Sequence, residues 1–339
     1  MMRSLKRNFV FSLGLAITLF VPVLAYAQAS ETGTIVGTVA DQSGAVIVGA
    51  EVKLTDRSTG TSQVQPTSQV GRFTFSDVKP GSYDVEVTMK GFRKLVVSSQ
   101  EVIVGQSTTL NLTLEVGAAT QVVEVTSTPG AELQTLDSSI GSAITGNTIL
   151  QLPTFSRDTT SLLYFQPTAV HDFNGATGNM TSGTVAGQTS DQNTFSIDGG
   201  NATDTLSGDN GYITGFVGNG TAAVPTPVES VEEFRVTTSN ATADFSNSSG
   251  GHAQLVTKRG TNSFHGSAYD YLQNSALDSN DWSNNFTAQP KPGSRYNRFG
   301  GALGGPLLPN MAGGKTYFYV NYEGFRWPES SPRPFRPVR

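Results

Sequence analysis

The residue types that do chemistry are sparse in this chain. Its three histidines, His171, His252 and His265, stand among 339 residues. None lies in an H-x-x-E, H-E-x-x-H or other paired metal-ligand spacing, so zinc-peptidase chemistry has no ligand set. Cysteine is absent, which removes thiolate metal sites, disulfides and cysteine nucleophiles. There is no G-x-S-x-G, no P-loop and no dinucleotide fingerprint. Asp198, Asp204 and Asp209 lie among Gly, Asn and Thr and could suggest calcium. Their spacing does not match an EF-hand loop, and loop aspartates usually form turns. The sequence therefore predicts no catalytic residue, no cofactor and no metal site, and a chain that is not an enzyme.

The elements that would carry recognition are strands. Charged residues make up 14% and glycines number 37, a turn-rich β composition rather than a helical one. The length leaves room for two or three domains. Residues 1–27 read as a secretory signal peptide, with Arg3, Lys6 and Arg7 as its basic end and Phe9 to Leu24 as its apolar run. Ala25-Tyr26-Ala27 forms a small-x-small cleavage site before Gln28. The other reading is an uncleaved anchor helix; against it, the run falls short of the ~20 residues a span needs and Pro22 interrupts it. Export excludes cytoplasmic functions. Without the three leader cations, 19 basic residues face 27 acidic ones, a net −8, which argues against nucleic acid as a partner.

Thr34 to Glu115 reads as seven short strands. Val52 and Leu54, Phe73 and Phe75, Tyr83, Val85, Val87 and Met89, and Leu110, Leu112 and Leu114 alternate with polar residues. Ser43-Gly44, Ser58-Thr59-Gly60, Lys79-Pro80-Gly81 and Lys90-Gly91 separate the runs, giving a small two-sheet sandwich. Its segments Gly49-Ala50-Glu51-Val52, Gly71 to Phe75 and Val78 to Val85 resemble the carboxypeptidase-regulatory-like domain, a transthyretin-like fold grouped with carbohydrate-binding-like sandwiches. Sugar binding is implied by that analogy alone. Phe73, Phe75 and Tyr83 fall in the core phase rather than on a stacking platform, so a structural or partner-docking role takes the larger share.

Further along, Thr145 is placed to cap a short helix carrying Ile149, Leu150 and Leu152, ended by Pro153. A second short helix is expected over Asp158 to Phe165, and an Asp-Gly turn at Asp198-Gly199 after a buried strand. Phe234 and Val236 alternate with Glu233, Arg235 and Thr237, as in a half-buried strand. Gly250-Gly251 permits a sharp turn or a close backbone approach, and Leu255-Val256-Thr257 makes another short strand. The pieces Val231 to Val236, Gly250-Gly251, Leu255 to Asn262 and Phe264 to Ser267 resemble, in order and spacing, the end of the plug domain of Oar-like TonB-dependent outer-membrane receptors and the first barrel strand. Gly187 to Gly200 resembles the plug's strand-and-turn core. Gly300 to Leu307 and Tyr317 to Gly324 also resemble the Oar-like pattern.

The resemblance implies a mainly β chain. Residues 1–27 are the signal peptide, 32–116 the sandwich, 117–131 a linker, 132–262 an α+β plug, and 263–339 the start of an incomplete antiparallel outer-membrane β-barrel. Within the linker, Gln121, Val122, Val123, Glu124, Val125 and Thr126 resemble a TonB box, which implies addition as an extra strand to the sheet edge of a TonB-type energising protein. Without the family context the same run is an ordinary β-linker. The other implied partners are outer-membrane lipid and an extracellular ligand of unknown identity, carbohydrate among the candidates. Barrel strands are expected at Phe264–Gln273, Tyr296–Gly305 and Thr316–Phe325, near the roughly 9–11 residues a tilted membrane strand needs. Three strands cannot close a barrel, which takes at least about 8, so the chain is expected to be the N-terminal part of a longer receptor for energised uptake. The rival readings are a secreted or periplasmic carbohydrate-binding or adhesion module and a peptidase, the latter lacking ligands.

Overall fold

The computed structural model describes residues 31–117, 122–126, 139–153, 157, 159–171, 183–188, 192–203, 226–240, 249–291, 293, 295–307 and 316–326. The leader, with Ala25 and Ala27, lies outside them, as do Asp204 and Asp209.

Seven strands build the sandwich as the alternation predicts: β1 (Gly33–Asp41), β2 (Glu51–Asp56), β3 (Ser62–Pro66), β4 (Arg72–Val78), β5 (Gly81–Thr88), β6 (Lys94–Val102) and β7 (Ser107–Leu114). One sheet runs β4-β1-β7, with β1 antiparallel to β4 and parallel to β7. The other runs β3-β2-β5-β6 and gains β8 (Val122–Thr126) beyond β6. Every second residue of β1 from Gly33 to Val39 is buried, as period two requires when one face meets a core. That core joins Ile35, Val39, Leu54, Phe75, Val85 and Leu112 from both sheets. Burial of each such side chain contributes roughly 1.5–3 kcal/mol. The turns are set by aspartates. Asp56 accepts from the Ser58 amide at 2.7 Å and the Thr59 amide at 3.2 Å, and Asp41 accepts from the Ser43 amide at 2.8 Å and the Ala45 amide at 2.9 Å.

The second unit begins with β9 (Ile140–Thr145) and α1 (Asn147–Gln151). Thr145 does not cap that helix, contrary to the expectation: Gly146 occupies the cap. Thr145 is still in the ladder, opposite Glu233, and its hydroxyl donates to Glu101 at 3.3 Å. The second helix is a 3-10 segment, Thr159–Phe165. Then come β10 (Ala169–His171), β11 (Gly183–Val185), β12 (Thr194–Ile197), β13 (Gly200–Asn201), β14 (Val231–Ser239) and β15 (His252–Thr257). A five-stranded sheet runs β13-β12-β15-β14-β9. The Asp198-Gly199 turn joins β12 to β13 with both φ angles positive, 47° and 81°. A Cβ at Gly251 would lie 2.5 Å from Val185 Cγ1, so the Gly-Gly pair serves a close approach. Phe195, Phe234, Val236 and Leu255 pack with Ile149 and Leu162 on one face.

The last three strands are β16 (His265–Asn274), β17 (Arg295–Pro306) and β18 (Tyr317–Arg326), an antiparallel sheet in chain order. Each lies within one residue of its expected bounds. The register places Tyr269 beside Gly300 and Glu323, and Tyr271 beside Arg298 and Phe325. Those positions face the second unit. The opposite face carries Leu272, Leu303, Val320 and Tyr322, all more than half exposed. Among the described residues no helix is long and apolar enough to cross a membrane.

Candidate functional site: two junctions and an edge strand

Strand β14 is not half-buried. Residues 233 to 237 are all buried, because the sandwich covers the face that alternation assigns to water. In register across β12, β15 and β14, that face carries Ser196, His252, Gln254, Arg235 and Glu233. The loop after β6 docks on it. The Val104 amide donates to Glu233 Oε1 at 3.0 Å, and Arg235 donates back to the Val104 carbonyl. Gly105 completes the fit: its φ is +60°, and a Cβ there would sit 3.2 Å from Gln254 Oε1 and 3.5 Å from Arg235 Nη1. Ser196 donates to Glu31 and lies 3.3 Å from His252 Nε2.

Burial dominates the protonation of this junction. It pushes Glu233 up to about 7, although the Val104 amide and the Arg235 charge pull the other way. It pushes Glu31 up to about 7, with the Asp198 charge adding to the effect. It pushes His252 down to about 4, helped by Arg235. All three shifts favour uncharged groups where the sandwich meets the sheet.

The second junction joins the same unit to the three-stranded sheet. Glu229 Oε1 accepts from Arg157 Nη2 at 2.9 Å and from the Tyr271 hydroxyl at 3.0 Å, while its carbonyl accepts from the Tyr319 hydroxyl at 3.0 Å. The Arg157 guanidinium lies 3.7 Å from the centroid of the Tyr271 ring. Arg298, only 1% exposed, donates to the Arg157 carbonyl at 3.0 Å and pairs with Glu323 at 3.2 Å. Tyr269 donates to Glu323 at 3.1 Å. The inward face of the sheet is thus a polar grip on Glu229 and Arg157.

The third element is β8. It pairs parallel with β6, Lys94 opposite Val122 through Ser98 opposite Thr126. Gln121 lies outside the described residues. The remaining predicted positions have structural duties. Asp198 accepts from the Thr257 amide at 2.9 Å and its hydroxyl at 2.7 Å. His252 belongs to the sandwich junction, His265 opens β16 with Nδ1 3.2 Å from the Thr261 hydroxyl, and His171 ends β10. Among the described residues no three His, Cys, Asp or Glu side chains form a metal-binding group. Phe73, Phe75 and Tyr83 are buried and present no ring to a sugar. Sequence reasoning missed Arg157, Glu229 and Arg298. The available signal was their charge, which says nothing of the partner across the junction.

Residues 34–115 match the family model of the carboxypeptidase regulatory-like domain, and residues 256–335 that of the outer membrane beta barrel domain. The TonB-dependent transporter Oar of Myxococcus xanthus is 25% identical over 317 residues, 88% of this chain and 27% of that protein. The chain thus spans about a quarter of that relative's length. Among solved structures, the siderophore receptor PirA of Acinetobacter baumannii is 23% identical over 54% of this chain and 24% of its own, at a TM-score of 0.38. A putative carbohydrate binding protein of Bacteroides uniformis is 22% identical over 24% of this chain and 40% of its own, at 0.22. At such scores neither adds to the assignment. The two domain matches and the curated relative place the chain in the outer membrane, as a protein with a carboxypeptidase regulatory-like domain and outer-membrane β-barrel strands that is similar to the Oar-type TonB-dependent transporters.

Proposed function

We propose that this chain supplies the sandwich, plug and first wall strands of a TonB-dependent outer-membrane receptor that takes up its ligand with energy from a TonB-type protein. The domains are then 1–27 as signal peptide, cleaved after Ala27, 32–116 as periplasmic sandwich, 117–131 as linker, 132–262 as plug and 263–339 as barrel. One observation carries the reading. The sheet of β16, β17 and β18 turns Leu272, Leu303, Val320 and Tyr322 outward, with Asp270, Asn297 and Arg326 on the same face, and a row centred on Tyr271, Arg298 and Glu323 inward, the mainly apolar-out arrangement a membrane wall needs around a polar interior. The inward row holds the plug through Glu229 and Arg157. In this scheme ligand binds at the outer face of plug and loops, the energising protein engages Gln121 to Thr126 by adding a strand, and the pull reaches the plug through its N-terminal side.

The partner segment is tested with a peptide of residues 119–128 and the purified C-terminal domain of the host's TonB-type protein. Binding is expected. A peptide with Val123→Pro and Glu124→Pro, which lacks two backbone donors, is expected to lose it. Equal binding by the two peptides, or none by either, contradicts the segment's assignment.

A further inference from the structure

The segment assigned to the partner is already paired within the chain. β8 is the edge strand of the sandwich's five-stranded sheet, beyond β6. The return from β7 leads it there. The Arg93 amide donates to the Glu115 carbonyl at 2.8 Å, and the Gly117 amide to the Gly91 carbonyl at 3.1 Å. Arg93 Nη1 and Glu115 Oε2 lie 2.9 Å apart, and Phe92 and Val116 form an isolated bridge. The chain is thus fixed beside the start of β6 at Gly117, and residue 122 stands opposite Lys94. The intervening four residues span at most about 14 Å, so β6 is within reach whenever the linker is anchored.

The register agrees with the sequence pattern. Leu95 and Val97 are the core-facing positions of this stretch of β6. Val123 and Val125 stand opposite them, while Glu124 and Thr126 stand opposite Val96 and Ser98.

We infer that the outer edge of β6 is an intramolecular docking site for Val122–Thr126, and that the sandwich and the energising protein compete for these residues. This inference rests on the assignment of Gln121 to Thr126 as the partner segment. Recognition by strand addition uses backbone donors and acceptors, and β6 occupies one edge of this five-residue strand. While β8 is docked, a pull on it loads the sandwich at Gly117. Once released, the strand hands the pull to β9 and the plug sheet. Affinity for the partner is reduced by the fraction of chains in which β8 is docked, so the sandwich acts as a gate on engagement.

The natural absence of cysteine makes the test clean. Paired Cα atoms of neighbouring strands lie about 4.8 Å apart, within disulfide range. The double variant Val96→Cys/Glu124→Cys of the whole chain is titrated with the TonB C-terminal domain, oxidised and reduced, alongside the 119–128 peptide. The oxidised chain is expected to bind at least about tenfold more weakly than the reduced chain. Oxidised binding within about twofold of reduced binding overturns the inference, because the partner then takes the other edge of docked β8. Failure of the peptide itself is a separate outcome that removes the underlying assignment. A second measurement uses the unmodified chain. Hydrogen exchange at residues 94–98 is expected to speed up when the partner domain is added, and unchanged protection there also overturns competition.

Discussion

The sandwich and the plug each contain a five-stranded sheet, and they use their faces differently. In the sandwich sheet Val52, Leu54, Val85 and Val87 enter the core while Glu51 on the other face meets water. In the plug sheet Phe234, Val236 and Leu255 enter a core in the same way, yet Glu233, Arg235, Gln254 and His252 on the opposite face are buried too. The difference lies in what covers the second face. The sandwich loop at Val104 and Gly105 sits on the plug sheet and satisfies it with hydrogen bonds. A one-faced sheet is stable by itself through its core. A two-faced sheet carrying charge depends on its neighbour, because an uncovered or unpaired group there costs desolvation without return.

The contrast orders the expected effects of substitution. Phe234→Ala opens a cavity on the fully buried apolar face and should cost about 3–5 kcal/mol in denaturant unfolding. Arg235→Ala, on the polar face, should cost about 3 kcal/mol by removing the donor to the buried Val104 carbonyl and the positive charge beside Glu233; limited proteolysis between sandwich and plug should accelerate with it. If Arg235→Ala proved neutral, the covered face would be passive packing. Glu233→Gln sharpens the same point through pH. Burial raises the folded-state value to about 7 from an ordinary 4.5, so the folded chain keeps a proton that the unfolded chain releases. That contribution is complete below about pH 4.5 and is lost as pH rises to about 7. Relative to wild type, the glutamine variant should therefore be equal near pH 4 and gain up to about 3 kcal/mol above pH 7. A pH-independent difference would contradict it. Glu51→Ala, on the water-facing side of the sandwich sheet, should change stability by less than about 0.5 kcal/mol.

The same contrast explains what could be read in the sequence. Alternation in Val52 to Leu54, Phe73 to Phe75 and Leu110 to Leu114 located the sandwich strands because each has one face in and one out. Alternation marked the last wall strand, Phe318 to Glu323, most clearly, whereas the first, His265–Asn274, has no clean phase and was placed by its length and by resemblance. Alternation misled at Glu233, Arg235 and Thr237, where a second domain replaces water. Capping preference misled at Thr145, whose hydroxyl serves Glu101 across the junction instead of a helix end. The grip of Arg157 and Arg298 on Glu229 and Glu323 joins residues 72 and 25 positions apart, a pairing that depends on tertiary placement and leaves no local signal. The run at Val122 to Thr126 reads in the sequence as an extended linker segment, and its pairing with β6 followed from no residue in the run.

The wall is best tested residue by residue along β18. Single cysteines at Tyr319, Val320, Asn321, Tyr322 and Glu323, introduced into the proposed receptor in its host's outer membrane, can each carry a spin label. Collision rates with oxygen, which concentrates in lipid, and with a water-soluble nickel chelate then report what each side chain faces. Labels at 320 and 322 should collide freely with oxygen, and those at 319, 321 and 323 should be shielded from it by the plug. Uniform rates along the strand, or nickel access at 320 and 322, would show that this sheet is no membrane wall.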